Sequence, residues 1–193
     1  MIFSPLVGWV IAYLLPVALV FGAIALFSHR PGTAFRMVIV HGGLCLSIVL
    51  SQYLLYVAHR PFSWNFPFPS ITLFIGIGLL VSFLLGRFGF LYFLSALIQQ
   101  LTLVSIAYYL FGALNFWMIV LLVVPIYSAS HLLQVKYWHL KIPATLIWGV
   151  ISIALFTLRG DILLNVSLHA LLGAVLIYRG ILYPRSDFAI KRI

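Results

Sequence analysis

Residues 70–85 read Ser-Ile-Thr-Leu-Phe-Ile-Gly-Ile-Gly-Leu-Leu-Val-Ser-Phe-Leu-Leu and contain no charged side chain. A continuous apolar run of this length exceeds an ordinary strand and is typical of a helix that crosses a bilayer. A strand of a membrane barrel would instead alternate polar and apolar residues at every second position. The stretch therefore predicts a transmembrane helix.

Six further runs of the same kind lie on either side of it. Hydrophobic residues make up 65% of the 193 residues and charged residues only 7%, and the mean hydropathy is +1.22. A soluble domain of ordinary composition carries about 25% charged residues. The sequence predicts an all-α polytopic integral membrane protein, with a single transmembrane domain over residues 1–193. The predicted spans are 5–28, 37–58, 70–85, 90–112, 115–134, 143–158 and 162–182.

The charges are strongly one-sided. The chain has 11 Lys plus Arg against two acidic residues. With seven spans, only Arg60 and Arg159 fall on the side of the N-terminus. The positive-inside rule then places the N-terminus outside and the C-terminus in the cytoplasm, in the inner or plasma membrane of a cell. Such cations meet anionic lipid rather than nucleic acid. The other nine are Arg30, Arg36, Arg87, Lys136, Lys141, Arg179, Arg185, Lys191 and Arg192.

Polar residues inside the spans are informative, because an unsatisfied polar group in hydrocarbon costs several kcal/mol. Asn165 and His169 are four residues apart and share a helix face, as do Tyr127 and His131. We expect Gln99, His131 and His169 to line one cavity that opens to the cytoplasm. The polar residues within the spans are His41, Gln52, Gln99, Gln100, Ser128, Ser130, His131, Asn165, Ser167 and His169.

Three segments carry most of these residues. They read Leu94-Ser-Ala-Leu-Ile-Gln-Gln-Leu-Thr-Leu-Val104, Tyr127-Ser-Ala-Ser-His131 and Asn165-Val-Ser-Leu-His169. Together they resemble the core of the CPBP family, the CAAX proteases and bacteriocin-processing enzymes, also called Abi proteins. The family's pattern is Glu-Glu-x-x-x-Arg on one helix, Phe-x-x-x-His on the next and His-x-x-x-Asn/Asp on a later one. The resemblance covers about residues 90–180 and implies a CPBP-like core there.

The chain departs from that pattern where the family carries charge. In the family the first Glu is thought to activate water for attack on a peptide carbonyl. A carboxamide is essentially non-basic and cannot accept that proton. The resemblance therefore implies a pseudoprotease with a neutral core rather than an active enzyme. The family's catalytic positions correspond to Gln99, Gln100, His131 and His169, while Val104 stands for the Arg, Tyr127 for the Phe and Gly173 for the final Asn/Asp.

A pseudoprotease of this kind would bind a second membrane protein or a membrane-bound peptide, as a scaffold, a regulator or a subunit of a complex. Asn165 and Tyr127 are the expected binding residues near the core. Membrane helices associate at small residues, so the third span, with Gly76, Gly78 and Ser82, is the expected docking surface.

Other functions remain open at this point. One is an active endopeptidase in which His131 or His169 serves as the base. Another is electron transfer by a b-type haem bound to two of His41, His131 and His169. A small-solute transporter is a third, although no inverted repeat supports it. We expect no cofactor and no metal, because no carboxylate lies within a span and Cys45 is the only cysteine.

Overall fold

The computed structural model describes residues 4–26, 33–59, 65–129 and 138–180. Within these ranges the chain forms seven helices and no strand, so the predicted all-α membrane fold is confirmed. Five of the helices are long and apolar enough to cross a membrane, and α5 and α7 are shorter apolar helices. The helices are α1 (Pro5–Leu26), α2 (Thr33–Val57), α3 (Phe68–Leu85), α4 (Arg87–Leu110), α5 (Phe116–Ala129), α6 (Trp138–Arg159) and α7 (Ile162–Tyr178).

Helices α2, α3, α4 and α6 begin two to five residues before the predicted spans. Helix α4 begins at Arg87 because Gly86, with φ of 60°, makes the turn from α3 by itself. Helix α6 begins at Trp138 and contains Pro143, which was predicted to mark its start. A proline is tolerated inside a membrane helix, because neighbouring helices and side chains satisfy the backbone groups that it frees.

A proline also shapes α1. Residues Val10–Leu14 form a π-helical turn in which the N–H of Leu15 bonds to the carbonyl of Val10. Pro16 follows directly, and a proline ring clashes with the carbonyl four residues before it. The wider turn relieves that clash and keeps α1 continuous.

Helix α4 is the centre of the bundle. It contacts each of the other six described helices. Fifty-six per cent of its span is buried inside the protein, against 11% for α3, the least covered of the five long helices. Side chains on α4 can therefore reach every other helix.

Two aromatic rings of α4 lie against glycines of its neighbours. A Cβ at Gly173 of α7 would overlap the hydroxyl of Tyr92, and a Cβ at Gly78 of α3 would lie 3.1 Å from the Phe93 ring. Gly78, an expected partner-binding residue, thus packs against the protein's own α4. The open glycine on α3 is Gly76, where a Cβ would meet nothing within 4 Å.

Asp161 ties two helices together at one end of the bundle. Its Oδ1 accepts a hydrogen bond of 3.1 Å from the backbone N–H of Leu164 and so caps α7. Its other oxygen accepts a hydrogen bond from the hydroxyl of Ser70 in the first turn of α3. The carboxylate is only 4% exposed. We refer to this end as the Asp161 end and to the opposite one, where α4 begins, as the Arg87 end.

Exposed aromatic side chains mark the Asp161 end. Tyr56 in the last turn of α2, Phe68 at the start of α3 and Trp117 at the start of α5 are 77%, 80% and 67% exposed. Aromatic rings concentrate at the level of the lipid headgroups. These three residues thus fit one membrane boundary.

Candidate functional site

Gln100 occupies the middle of α4 and is fully buried. It lies roughly 20 Å from the Arg87 end and roughly 15 Å from Leu110, at 1.5 Å per residue. Its amide Nε2 donates to Nδ1 of His169 on α7 at 2.7 Å. Its Oε1 accepts a hydrogen bond from the hydroxyl of Ser152 on α6. One side chain therefore joins three helices.

Helices α6 and α7 face each other through two pairs of residues. Asn165 donates from Nδ2 to the backbone carbonyl of Ser152 at 3.0 Å, and the Trp148 ring centroid lies 5.6 Å from that of His169. Trp148 and Ser152 are four residues apart on α6, as are Asn165 and His169 on α7. The prediction that Asn165 and His169 share a helix face is confirmed. We refer to the five residues Gln100, Trp148, Ser152, Asn165 and His169 as the polar layer.

Two tyrosines extend this layer towards α1 and α5. Tyr127 is buried with its hydroxyl facing the Gln100 amide. Tyr13 on α1 is close to Tyr127, and its hydroxyl donates to the backbone carbonyl of Val123 on α5 at 3.2 Å. Polar side chains at mid-depth thus come from five of the seven described helices.

Gln99 lies in a different interface. Its Nε2 donates to the Ser95 hydroxyl at 3.1 Å, and Ser95 in turn bonds to Nε2 of His41 on α2 at 2.7 Å. About three turns further along, Gln52 of α2 donates to Ser105 at 3.1 Å. Adjacent residues on a helix point about 100° apart. Gln100 therefore bonds to α6 and α7, whereas Gln99 bonds to Ser95 on the side of α4 that faces α2 and does not join the polar layer.

The remaining positions of the family pattern are neutral or lie outside the described residues. Val104, at the position of the Arg, is buried in the apolar core. Gly173, at the position of the final Asn/Asp, is covered by Tyr92. His131 is not among the described residues, so its place beside the polar layer stays a prediction. Within the described ranges, no three His, Cys, Asp or Glu side chains are close enough to hold a metal ion.

Sequence reasoning missed Tyr13, Trp148 and Ser152. The polar residues predicted within the spans include none from the sixth span, since a single serine in an apolar helix usually bonds within its own helix. Ser152 instead bonds across to Gln100 and offers its backbone carbonyl to Asn165. The one available signal was the spacing of four residues between Trp148 and Ser152, which equals that between Asn165 and His169.

The polar layer contains no carboxylate, lysine or arginine. Four of its residues do not ionise in the accessible range, and the fifth, His169, is bonded through Nδ1 to Gln100. Asp161, the only carboxylate side chain among the described residues, bonds to Ser70 at the end of the bundle. Such an arrangement can bind polar groups by hydrogen bonds, and it offers no carboxylate there to activate water.

No family model, curated protein or solved structure matches the chain.

Proposed function

We propose that the protein is a CPBP-like membrane pseudoprotease that holds a membrane protein or membrane-bound peptide without cleaving it, as a scaffold, a regulator or a subunit of a complex. The observation that carries this proposal is the state of Gln100, which aligns with the second Glu of the family pattern. Both ends of its amide are engaged, one by His169 and one by Ser152. The side chain therefore holds helices together where the family has a carboxylate.

The neighbouring replacements support the same proposal. A buried charge must be paired and hydrogen-bonded to offset its desolvation. Here the positions of the Arg and of the final Asn/Asp are Val104 in the apolar core and Gly173 beneath Tyr92. Because the residues Gln100, Val104 and Gly173 carry no charge, the site needs no ion pair to offset desolvation. It is suited to stable binding rather than to proton transfer.

The partner surface that we propose is the lipid-facing side of α3. This helix is the least covered of the five long ones. Gly76, open on that side, allows another helix to approach closely, whereas Gly78 is already packed against Phe93.

The orientation that we propose has the Asp161 end outside and the Arg87 end in the cytoplasm. It follows from the nine-to-two distribution of cations. The variants Trp64→Cys and Lys191→Cys, each made in a Cys45→Ala chain, are expected to react with a membrane-impermeant maleimide from opposite sides of sealed vesicles. Reaction from the same side would contradict the proposed orientation.

The proposed lack of activity is tested by proteolysis. The full chain, reconstituted in vesicles that contain anionic lipid, is expected to leave prenylated CAAX-type peptides and leader peptides intact over long incubation. The reason is that no described carboxylate is near His169 to act as a base. Mass spectrometry of the recovered peptides provides the measurement.

The control for that assay is His131→Ala. Robust cleavage by the unmodified protein that disappears in His131→Ala would favour the alternative, an active endopeptidase that uses His131 and His169. Cleavage that is equal in the two proteins would indicate a contaminating protease.

A further inference from the structure

Helices α6 and α7 lie side by side, and we refer to the interface between them as the seam. Only Gly160 and Asp161 separate them in sequence, yet they make few direct contacts with each other. Helix α6 packs mainly on α5, and α7 packs mainly on α3 and α4. The polar layer, with Gln100 bonded to both helices, is what bridges the seam at mid-depth. Two helices joined in this way can part more easily than two with interlocked apolar side chains.

Two polar atoms of the layer are unmatched. Oδ1 of Asn165 and Nε1 of Trp148 are buried and have no hydrogen-bond partner among the residues that the structure describes. Asn165 is fully buried. Almost all buried polar groups in native proteins have a partner. Asn165 Oδ1 is an acceptor and Trp148 Nε1 is a donor. A ligand that satisfies both must offer one donor and one acceptor.

Each of the two atoms belongs to a residue that pairs with a residue of the facing helix. Asn165 pairs with Ser152 and Trp148 with His169, and the pairs are four residues apart on each helix. Along the helix axis, the two pairs are therefore about 6 Å apart. An extended peptide segment presents the N–H and the C=O of one residue along the same edge, as in a strand pair. A lipid ester offers a carbonyl but no donor, so it could satisfy Trp148 only.

We propose that the seam between α6 and α7 binds the extended main chain of an uncharged peptide segment, whose N–H donates to Asn165 Oδ1 and whose carbonyl accepts from Trp148 Nε1. The segment enters as α6 and α7 part. This proposal rests on the proposed function, because it names the class of ligand that is held uncut. Recognition through the main chain makes binding largely independent of the segment's side chains.

Peptide binding by the full chain in lipid nanodiscs tests the site. The probe is a capped, fluorescently labelled peptide of Leu and Ala. Trp148→Phe, which keeps a ring beside His169 but removes the donor, is expected to weaken binding about tenfold, as the loss of one buried hydrogen bond requires. Asn165→Leu is expected to do the same. The matched control is Trp117→Phe, an exposed indole at the Asp161 end, which should bind as the wild type does.

A second probe separates binding from folding. The same peptide methylated at its backbone nitrogens has no N–H to donate. We expect the methylated peptide to bind the wild type about tenfold more weakly than the unmethylated peptide does. Its affinity for Asn165→Leu should equal its affinity for the wild type. Asn165→Leu also removes the bond to the Ser152 carbonyl. The methylated peptide, which leaves the protein unchanged, avoids that complication.

Several outcomes would overturn the proposal. These are no binding of the peptide, equal affinity in wild type and Trp148→Phe, or equal affinity for the methylated peptide. A response of Trp148→Phe without one of Asn165→Leu would show that only the carbonyl contact forms, and this too would contradict the proposal. Peptide fragments in the recovered sample would instead contradict the proposed function, whatever the affinities are.

Discussion

Gln100→Leu is expected to lower the free energy of unfolding by about 2–4 kcal/mol, the largest effect of any single polar substitution in the bundle. The change leaves His169 Nδ1 and the Ser152 hydroxyl without their shared partner at mid-depth. Each buried group left unsatisfied costs about 1–3 kcal/mol. Hydrogen bonds between membrane helices contribute less on average, about 0.6 kcal/mol each. We therefore expect the total cost of the two unsatisfied groups to lie below the upper limit of that range.

Gln99→Leu is the matched control. It is the same substitution at the adjacent residue, and the bond that it removes, to Ser95, lies within one helix and is partly buried. We expect a loss below about 1 kcal/mol. The measurement is unfolding of the protein in mixed micelles by increasing fractions of sodium dodecyl sulfate. Equal losses for the two variants would show that the Gln100 bridge does not hold α4, α6 and α7 together.

Gly173→Leu is expected to destabilise the protein by about 3 kcal/mol, at the upper end of what overpacking a core costs. A side chain at this position must displace the Tyr92 ring, because even a Cβ would overlap the tyrosine hydroxyl. The same substitution at Gly76, where a Cβ meets nothing within 4 Å, is the control and should change the stability by less than about 1 kcal/mol.

The same unfolding assay, applied to Tyr92→Ala and to the double variant with Gly173→Leu and Tyr92→Ala, completes a double-mutant cycle. If Tyr92 is what fills the space, the double variant should be more stable than the two single losses predict, by about 1–3 kcal/mol. Additive losses would mean that Gly173 is required for a reason other than its contact with Tyr92.

Most of the fold could be predicted from the sequence, because apolar runs of membrane length leave the chain few alternatives to helix. The early start of α6 could not, since Pro143 ends helices in water but is accommodated in a membrane. The start of α4 was also missed, because a single glycine, Gly86, suffices for the turn.

The candidate site could be predicted only in part. The approach of Gln100 to His169 could be expected from the sequence, because polar groups need one another in hydrocarbon. That Gln99 bonds instead to Ser95, which bonds to His41 of α2, depends on which helix lies on which side of α4, and this is a property of the whole bundle. The role of Ser152 depends on the same tertiary arrangement, which places its hydroxyl beside Gln100.

The central position of α4 also has a consequence for biogenesis. The partners of Gln100 are synthesised late, since Ser152 follows it by 52 residues and His169 by 69. Ribosomes add about 5–20 residues per second, so the amide waits roughly 3–10 s for Ser152, the earlier of these two partners. During that interval α4 is already made, and Ser95 and Ser105 can bond to α2, but Gln100 still lacks Ser152 and His169. We therefore expect the half-made bundle to remain in contact with the translocon or with a membrane chaperone until α6 and α7 emerge.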